Sequence, residues 1–271
     1  MKEIESDNLS FFTAAKTGLA AFLLATILIV VDGWLAVIPL AGFLLICLAA
    51  PFFPRFGFYL PVICKGSSGK MAVAITFDDG PDPLTTPLLL KLLEKYQIKA
   101  TFFITGEKAA RHPKLVKALV RQGHLVGNHS YNHSYRMLFK TSPAIVKDIE
   151  AAQKVFNDFG IRPIAYRPPA GITSPRLRSA LLKTGMYLVN FSCRSLDGGN
   201  RRINNLAKKI IDRIRPDDIV LLHDLRPPDE SLISAWLNEI EILLVGVDAK
   251  GLTVLPLSEL IGKPVMIKAA Q

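Results

Sequence analysis

Apolar and polar positions fall into two regimes along this chain. The N-terminal part holds two long apolar runs, Thr17 to Val31 and Trp34 to Phe53, parted only by Asp32 and Gly33. One helix through both would be about 50 Å long, well beyond a hydrocarbon core of about 30 Å. No small-residue cleavage site ends the first run, which argues against a removable signal peptide. The pattern predicts a membrane anchor of one or two transmembrane helices. A hairpin would span about 12–31 and 34–53, turn at Asp32-Gly33 and set Lys16 at the interface. One span followed by an interfacial helix is the alternative. Lys2 and Lys16 precede the runs, Arg55, Lys65 and Lys70 follow them, and the turn has neither Lys nor Arg. That bias places an integral inner-membrane protein with its C-terminal part facing the cytoplasm, against a single-span arrangement facing outward.

After residue 63 the apolar runs become short and regular. Strand-like segments lie at 71–77, 100–105, 125–128, 164–167, 186–192, 218–223 and 252–257. Helix-like segments at 85–95, 113–122, 143–158, 175–184, 203–214 and 230–244 separate most of them. Strands alternating with helices imply a parallel sheet. About seven such units suit a distorted (β/α) barrel, and no glycine-rich dinucleotide loop follows the first strand to favour an open doubly wound sheet. The expected division is an anchor and linker over 1–63 and a catalytic domain over 64–271.

Charge sharpens this picture. Residues 1–63 carry three Lys/Arg and four Asp/Glu, and the remainder carries 30 and 19. A basic body suits an anionic partner such as a phosphorylated lipid, a membrane surface or an acidic glycan. Nucleic acid is not expected, because no dense basic cluster is interleaved with aromatics. Cys47, Cys64 and Cys193 are too scattered for a disulfide framework or a cysteine zinc site.

In a barrel, chemistry sits at the C-terminal strand ends. There the chain places "FDDGP", "GNHSYNH", "YRPPAG", "RSLDGG" and "LLHD" in turn. Asp78 and Asp79 alone could be turn residues. His129 and His133, four apart, would face one ion if their loop enters a helical turn. One carboxylate from the Asp78–Asp79 pair, added to these histidines, would complete a two-histidine, one-carboxylate site with open positions. If Asp79 binds the metal, Asp78 is free as a base and His223 as an acid, with Asp197 holding the imidazolium and Arg167 orienting Asp78. His124 reads as structural and His112 as a loop residue.

In these ordered motifs the chain resembles the polysaccharide deacetylases with a NodB homology domain, carbohydrate esterase family four, from about Met71 to Leu260. The resemblance carried by "TFDDG", "HSYNH", "RPPAG", Asp197 and "LLH" implies Asp78 as base and Asp79, His129 and His133 as metal ligands. It implies Arg167 positioning the base, a backbone N–H near Ala170 at the oxyanion, His223 as acid and Leu221 against the acetyl methyl. The implied cofactor is one divalent ion, zinc before cobalt, nickel or manganese. The implied activity is N-deacetylation of an amino sugar, in a lipid-linked sugar or an envelope polysaccharide. A deacylase of esters or formamides, or an inactive glycan-binding module, are the rival readings. Two departures mark the groove: Ala170 stands where the family usually has an aromatic, and Gly198 where Trp usually follows the aspartate. Arg194 adds charge to a stretch that is less basic in the family.

Overall fold

The computed structural model describes residues 13–269. Its centre is a buried parallel sheet. The strands are β1 (Ala72–Asp78), β2 (Thr101–Ile104), β3 (Leu125–Asn128), β4 (Ile161–Pro163) and β5 (Ala165–Tyr166). They continue with β6 (Tyr187–Leu188), β7 (Cys193–Arg194), β8 (Ile219–His223), β9 (Thr253–Val254) and β10 (Met266–Lys268). The order β6-β5-β3-β2-β1-β8-β7 is parallel throughout, and it curls into a half-barrel that fits the expected distorted (β/α) barrel. β1 is buried along its whole length, as a strand covered on both faces must be. β9 pairs with the start of β1, and β4 with β10 forms a small antiparallel pair.

Some expected elements are shorter than their apolar runs. The run 186–192 is a strand only over β6, and β7 begins just beyond it; between them Val189 bridges to Ile63 and Asn190 turns its side chain onto Gly171. The helix expected over 203–214 is confined to Leu206–Ile211, and that over 230–244 becomes a 3-10 turn followed by Ile233–Ala249. Helices cover the sheet through apolar faces, and Trp236, Ile240, Leu243 and Val247 of the last long helix are fully buried in the main core.

The N-terminal expectation is corrected. α1 (Thr13–Leu28) has 16 residues and α2 (Val37–Ala49) has 13. At 1.5 Å per residue they extend about 24 and 20 Å, short of the hydrocarbon thickness. Among the described residues no helix is long and apolar enough to cross a membrane. The anchor of one or two transmembrane helices, the spans at about 12–31 and 34–53, and the integral inner-membrane location facing the cytoplasm are overturned on that finding; Phe12 and Lys2 lie outside the described residues. The physical reason is local. α1 stops before the β-branched Ile29-Val30-Val31, Asp32 accepts the Trp34 N–H at 3.0 Å, and α2 runs into Pro51 and Pro54. Part of the apolar content is spent on the barrel itself: Ala14, Ala50, Phe58, Tyr59 and Leu60 are buried in a second core with Tyr166, Leu177 and Leu188.

Candidate active site

The β1–β8 register sets the site. Thr76 lies opposite Leu221 and Asp78 opposite His223, so in this parallel pair each couple shares a face. Asp79 follows with φ 72°, a left-handed conformation that L side chains seldom adopt. That kink lets two consecutive carboxylates look into one corner. His129 Nε2 is 3.9 Å from Asp78 Oδ2 and 3.3 Å from Asp79 Oδ1.

His133 joins them without the helical turn expected from its spacing. The segment is irregular, with Ser130 at φ 68° and His133 at φ 52°, and Ser130 Oγ accepts the His133 N–H at 3.0 Å. His133 Nε2 thereby lies 3.0 Å from Asp79 Oδ1, with the two imidazoles 4.9 Å apart and Tyr135 edge-on to His133. His129 Nδ1 lies 2.7 Å from the Arg167 carbonyl. A carbonyl can only accept, so Nδ1 carries the proton and Nε2 presents its lone pair to the corner. Asp79 Oδ1 is buried and receives no hydrogen bond among the described residues. Burial alone would raise its pKa, but the two adjacent imidazoles of His129 and His133 outweigh it and hold the carboxyl far below its ordinary range. Burial favours neutral His129, yet the charges of Asp78 and Asp79 raise its pKa. A buried anionic corner with converging lone pairs and an orphaned oxygen is what a divalent cation would complete; ligand atoms of Asp79, His129 and His133 lie within 4.8 Å of one another.

Asp78 is held from behind. The fully buried Arg167 donates from Nη1 to Asp78 Oδ1 at 2.7 Å and to Thr76 Oγ1 at 2.8 Å, and from Nη2 to the Asn190 carbonyl at 3.0 Å. Its guanidinium stacks 4.0 Å from the Phe103 ring centroid. A charge so boxed is a fixture, not a mobile surface arginine.

Across β1 stands the second pair. His223 Nδ1 lies 2.9 Å from Asp197 Oδ2, which also accepts the Asn200 N–H at 3.2 Å. Burial would lower the His223 pKa, but the hydrogen bond and charge of Asp197 raise it above the ordinary value. Burial likewise works against ionised Asp197, and His223 overrides it, leaving that pKa lowered. Gly198 and Gly199 follow at φ 65° and 74°, so the tight loop behind Asp197 disfavours the tryptophan expected there. Leu221 is buried two residues before His223 on the same face. Ala170 is exposed at φ 57°, and its N–H finds no protein acceptor among the described residues.

The structure also brings in residues the sequence reading passed over. Asp224 is fully buried, accepts from Thr85 Oγ1 at 2.7 Å and Thr86 Oγ1 at 2.6 Å, and donates its N–H to the Asp78 carbonyl at 2.8 Å. A Cβ on Gly80 would collide with its Oδ2, which explains the glycine after the aspartate pair. Asp224 follows His223 directly, so the signal was present in "LLHD". Asn200 contacts the His223 carbonyl at 3.0 Å, and Asn190 braces both Arg167 and Gly171. Nothing short-range in the sequence marks either asparagine. His124 is buried, and its Nδ1 accepts the Ala100 N–H, as a structural residue would; burial pushes its pKa down to about 4.

Comparison with known proteins agrees with this arrangement. A sequence model of the family described as polysaccharide deacetylase matches residues 65–189. A peptidoglycan-N-acetylglucosamine deacetylase of Bacillus cereus is 36% identical over 159 residues, 58% of this chain and 74% of that protein. A chitooligosaccharide deacetylase of Azorhizobium caulinodans is 30% identical over 200 residues, 70% of this chain and 95% of the relative. Among solved structures, the Bc1960 peptidoglycan N-acetylglucosamine deacetylase superposes with a TM-score of 0.67 at 27% identity, covering 75% of this chain and 94% of that one. With the ordered motifs, the half-barrel and these likenesses together, the chain belongs to the polysaccharide deacetylase family, carbohydrate esterase family four, and is a carbohydrate deacetylase.

Proposed function

We propose that the chain is a metal-dependent N-deacetylase of N-acetylglucosamine units in a glycan, and that residues 64–271 carry the chemistry. The observation supporting this most is the register that sets Asp78 beside His223, with the anionic corner of Asp79, His129 and His133 adjoining one and Asp197 behind the other. Asp79, His129 and His133 would hold the divalent ion, zinc by the donor set. Such an ion supplies Lewis-acid polarisation of the acetamide carbonyl and acidifies water.

The chain's own groups do the rest. Asp78, fixed by Arg167, takes the proton of the attacking water. The free Ala170 N–H donates to the oxygen on which negative charge develops. His223, kept protonated by Asp197, gives its proton from Nε2 to the departing nitrogen, so the amine leaves as a neutral group and acetate remains. Leu221 bounds the space for the acetyl methyl. The test is acetate release and a mass loss of one acetyl per sugar on N-acetylated chitooligosaccharides and peptidoglycan fragments. Activity abolished by chelation and restored by zinc is expected. Turnover undiminished by exhaustive chelation would contradict the reading.

A further inference from the structure

A cleft of about 960 Å³ opens beside Ala170, and its walls have two origins. Ala170, Phe191 and Arg194 come from the barrel; Phe53, Arg55 and Phe56 come from the segment that precedes the family match at residue 65. That segment is seated, not loose. The Thr173 N–H donates to the Pro51 carbonyl at 3.2 Å, Phe58 to Leu60 are buried, and the Asn190 N–H donates to the Ile63 carbonyl at 2.7 Å.

The cleft adjoins the reacting groups. Arg194 pairs in register with Leu221, so it lies on the face of β8 shared with His223. The guanidiniums of Arg194 and Arg167 sit 5.2 and 5.8 Å from the Phe191 ring centroid. Arg55 and Arg167 both bear electrostatically on the buried Cys64 thiol; burial raises its pKa and their charges oppose that. The positive charge continues outward. A second cavity of about 520 Å³ shares Arg55 and Ser192 with the first and adds Lys263 and Lys65, the latter 3.8 Å from Asp218 Oδ1; among the described residues no Asp or Glu lines either cavity. Neither Arg55 nor Arg194 forms an ion pair with a described residue. Two arginines without carboxylate partners, beside aromatic rings and the oxyanion N–H, are a poor match for a neutral oligosaccharide.

We propose that this cleft is a subsite for an anionic group, a phosphate ester or a carboxylate, carried by the substrate next to the sugar being deacetylated. Arg55 and Arg194 bind the anion through their guanidinium forks, and Phe53, Phe56 and Phe191 pack against the apolar surface flanking it. The N-terminal segment thus supplies selectivity that the family domain alone lacks. This inference rests on the deacetylase reading of the same site.

The test uses the full zinc-loaded chain and three tetramers of N-acetylglucosamine: neutral, bearing a reducing-end phosphate, and oxidised to a reducing-end carboxylate. The wild type is expected to favour a charged tetramer. Arg55→Gln and Arg194→Gln should each lower the charged-to-neutral ratio of kcat/KM about tenfold, chiefly through KM. A fall with the phosphate tetramer alone, or with the carboxylate tetramer alone, supports the subsite and identifies its anion. A ratio unchanged in both variants overturns it. If the wild type deacetylates none of the three, the deacetylase reading fails, and calorimetry of the two charged tetramers decides the cleft separately. Binding of either weakened about tenfold by each substitution supports the subsite, whereas equal binding overturns it.

Discussion

Two carboxylate–imidazole groups flank β1, made of the same residue types and built for opposite ends. In both, a histidine Nδ1 is committed and Nε2 faces the site. His129 donates a hydrogen bond from Nδ1 to the neutral Arg167 carbonyl, whereas His223 donates one from Nδ1 to the Asp197 carboxylate. A carbonyl fixes the tautomer without adding charge, which suits a metal ligand; a carboxylate stabilises the imidazolium, which suits an acid. The aspartates differ in the same sense. Asp79 Oδ1 is buried between two imidazoles with no hydrogen-bond donor among the described residues, while Asp197 Oδ2 is filled by His223 and the Asn200 N–H. On the proposed reading, geometry and not composition suits one group to hold a cation and the other a proton.

The contrast breaks most visibly at the cation corner. Asp79→Asn, His129→Ala and His133→Ala should lose metal and activity together. Asp78→Asn should keep the metal and lose about 10²–10⁴ in turnover, because shape survives and the base does not. Metal analysis beside acetate release separates the two outcomes; near wild-type turnover in Asp78→Asn would remove Asp78 as base.

At the proton corner, His223→Ala should keep its metal and lose turnover on the amide. The loss should shrink on an activated aryl ester, whose leaving group needs no proton. Equal losses on both substrates would contradict an acid at His223. Asp197→Asn should act more mildly and through pH. His223 must be protonated to donate, and its raised pKa extends that form upward in pH. Removing the charge of Asp197 should therefore move the basic limb of the kcat/KM profile to lower pH. An unmoved limb would detach Asp197 from the acid.

The smallest effect concerns Asp224. Burial pushes its pKa up to about 7 despite the hydroxyls of Thr86 and Thr85. The folded chain then binds a proton between about pH 4 and 7 that the unfolded chain releases, so this residue makes stability fall as pH rises through that window. Asp224→Asn should flatten the fall, by at most about 1.4 kcal/mol per pH unit in urea titrations. An unchanged slope would mean that Asp224 stays ionised in its buried site.

How much of this was legible depended on range. Short, nearly continuous apolar runs ending in Asp78, Asn128, Arg167 or His223 disclosed the strands and the rim of the barrel, because such runs and their polar ends are local properties. The four-residue spacing of His129 and His133 pointed to two rings that do converge, but for another local reason: left-handed Ser130 and His133, not a helical turn, bring them together. Asn190, Asn200 and Asp224 were hidden because their partners are supplied by register across distant strands. The N-terminal runs misled in the opposite way. Hydropathy reports apolar content, but helix ends set by Ile29-Val30-Val31 and Pro51, and the burial of Phe58 to Leu60 against the barrel, decide how long the helices become.

The division of labour between the two groups is tested most directly by the zinc content of purified wild type, Asp79→Asn and Asp197→Asn after equilibrium dialysis at fixed free zinc. The account predicts about one ion per chain in the wild type and in Asp197→Asn, and almost none in Asp79→Asn. Equal zinc in Asp79→Asn and the wild type, or its loss from Asp197→Asn, would contradict it.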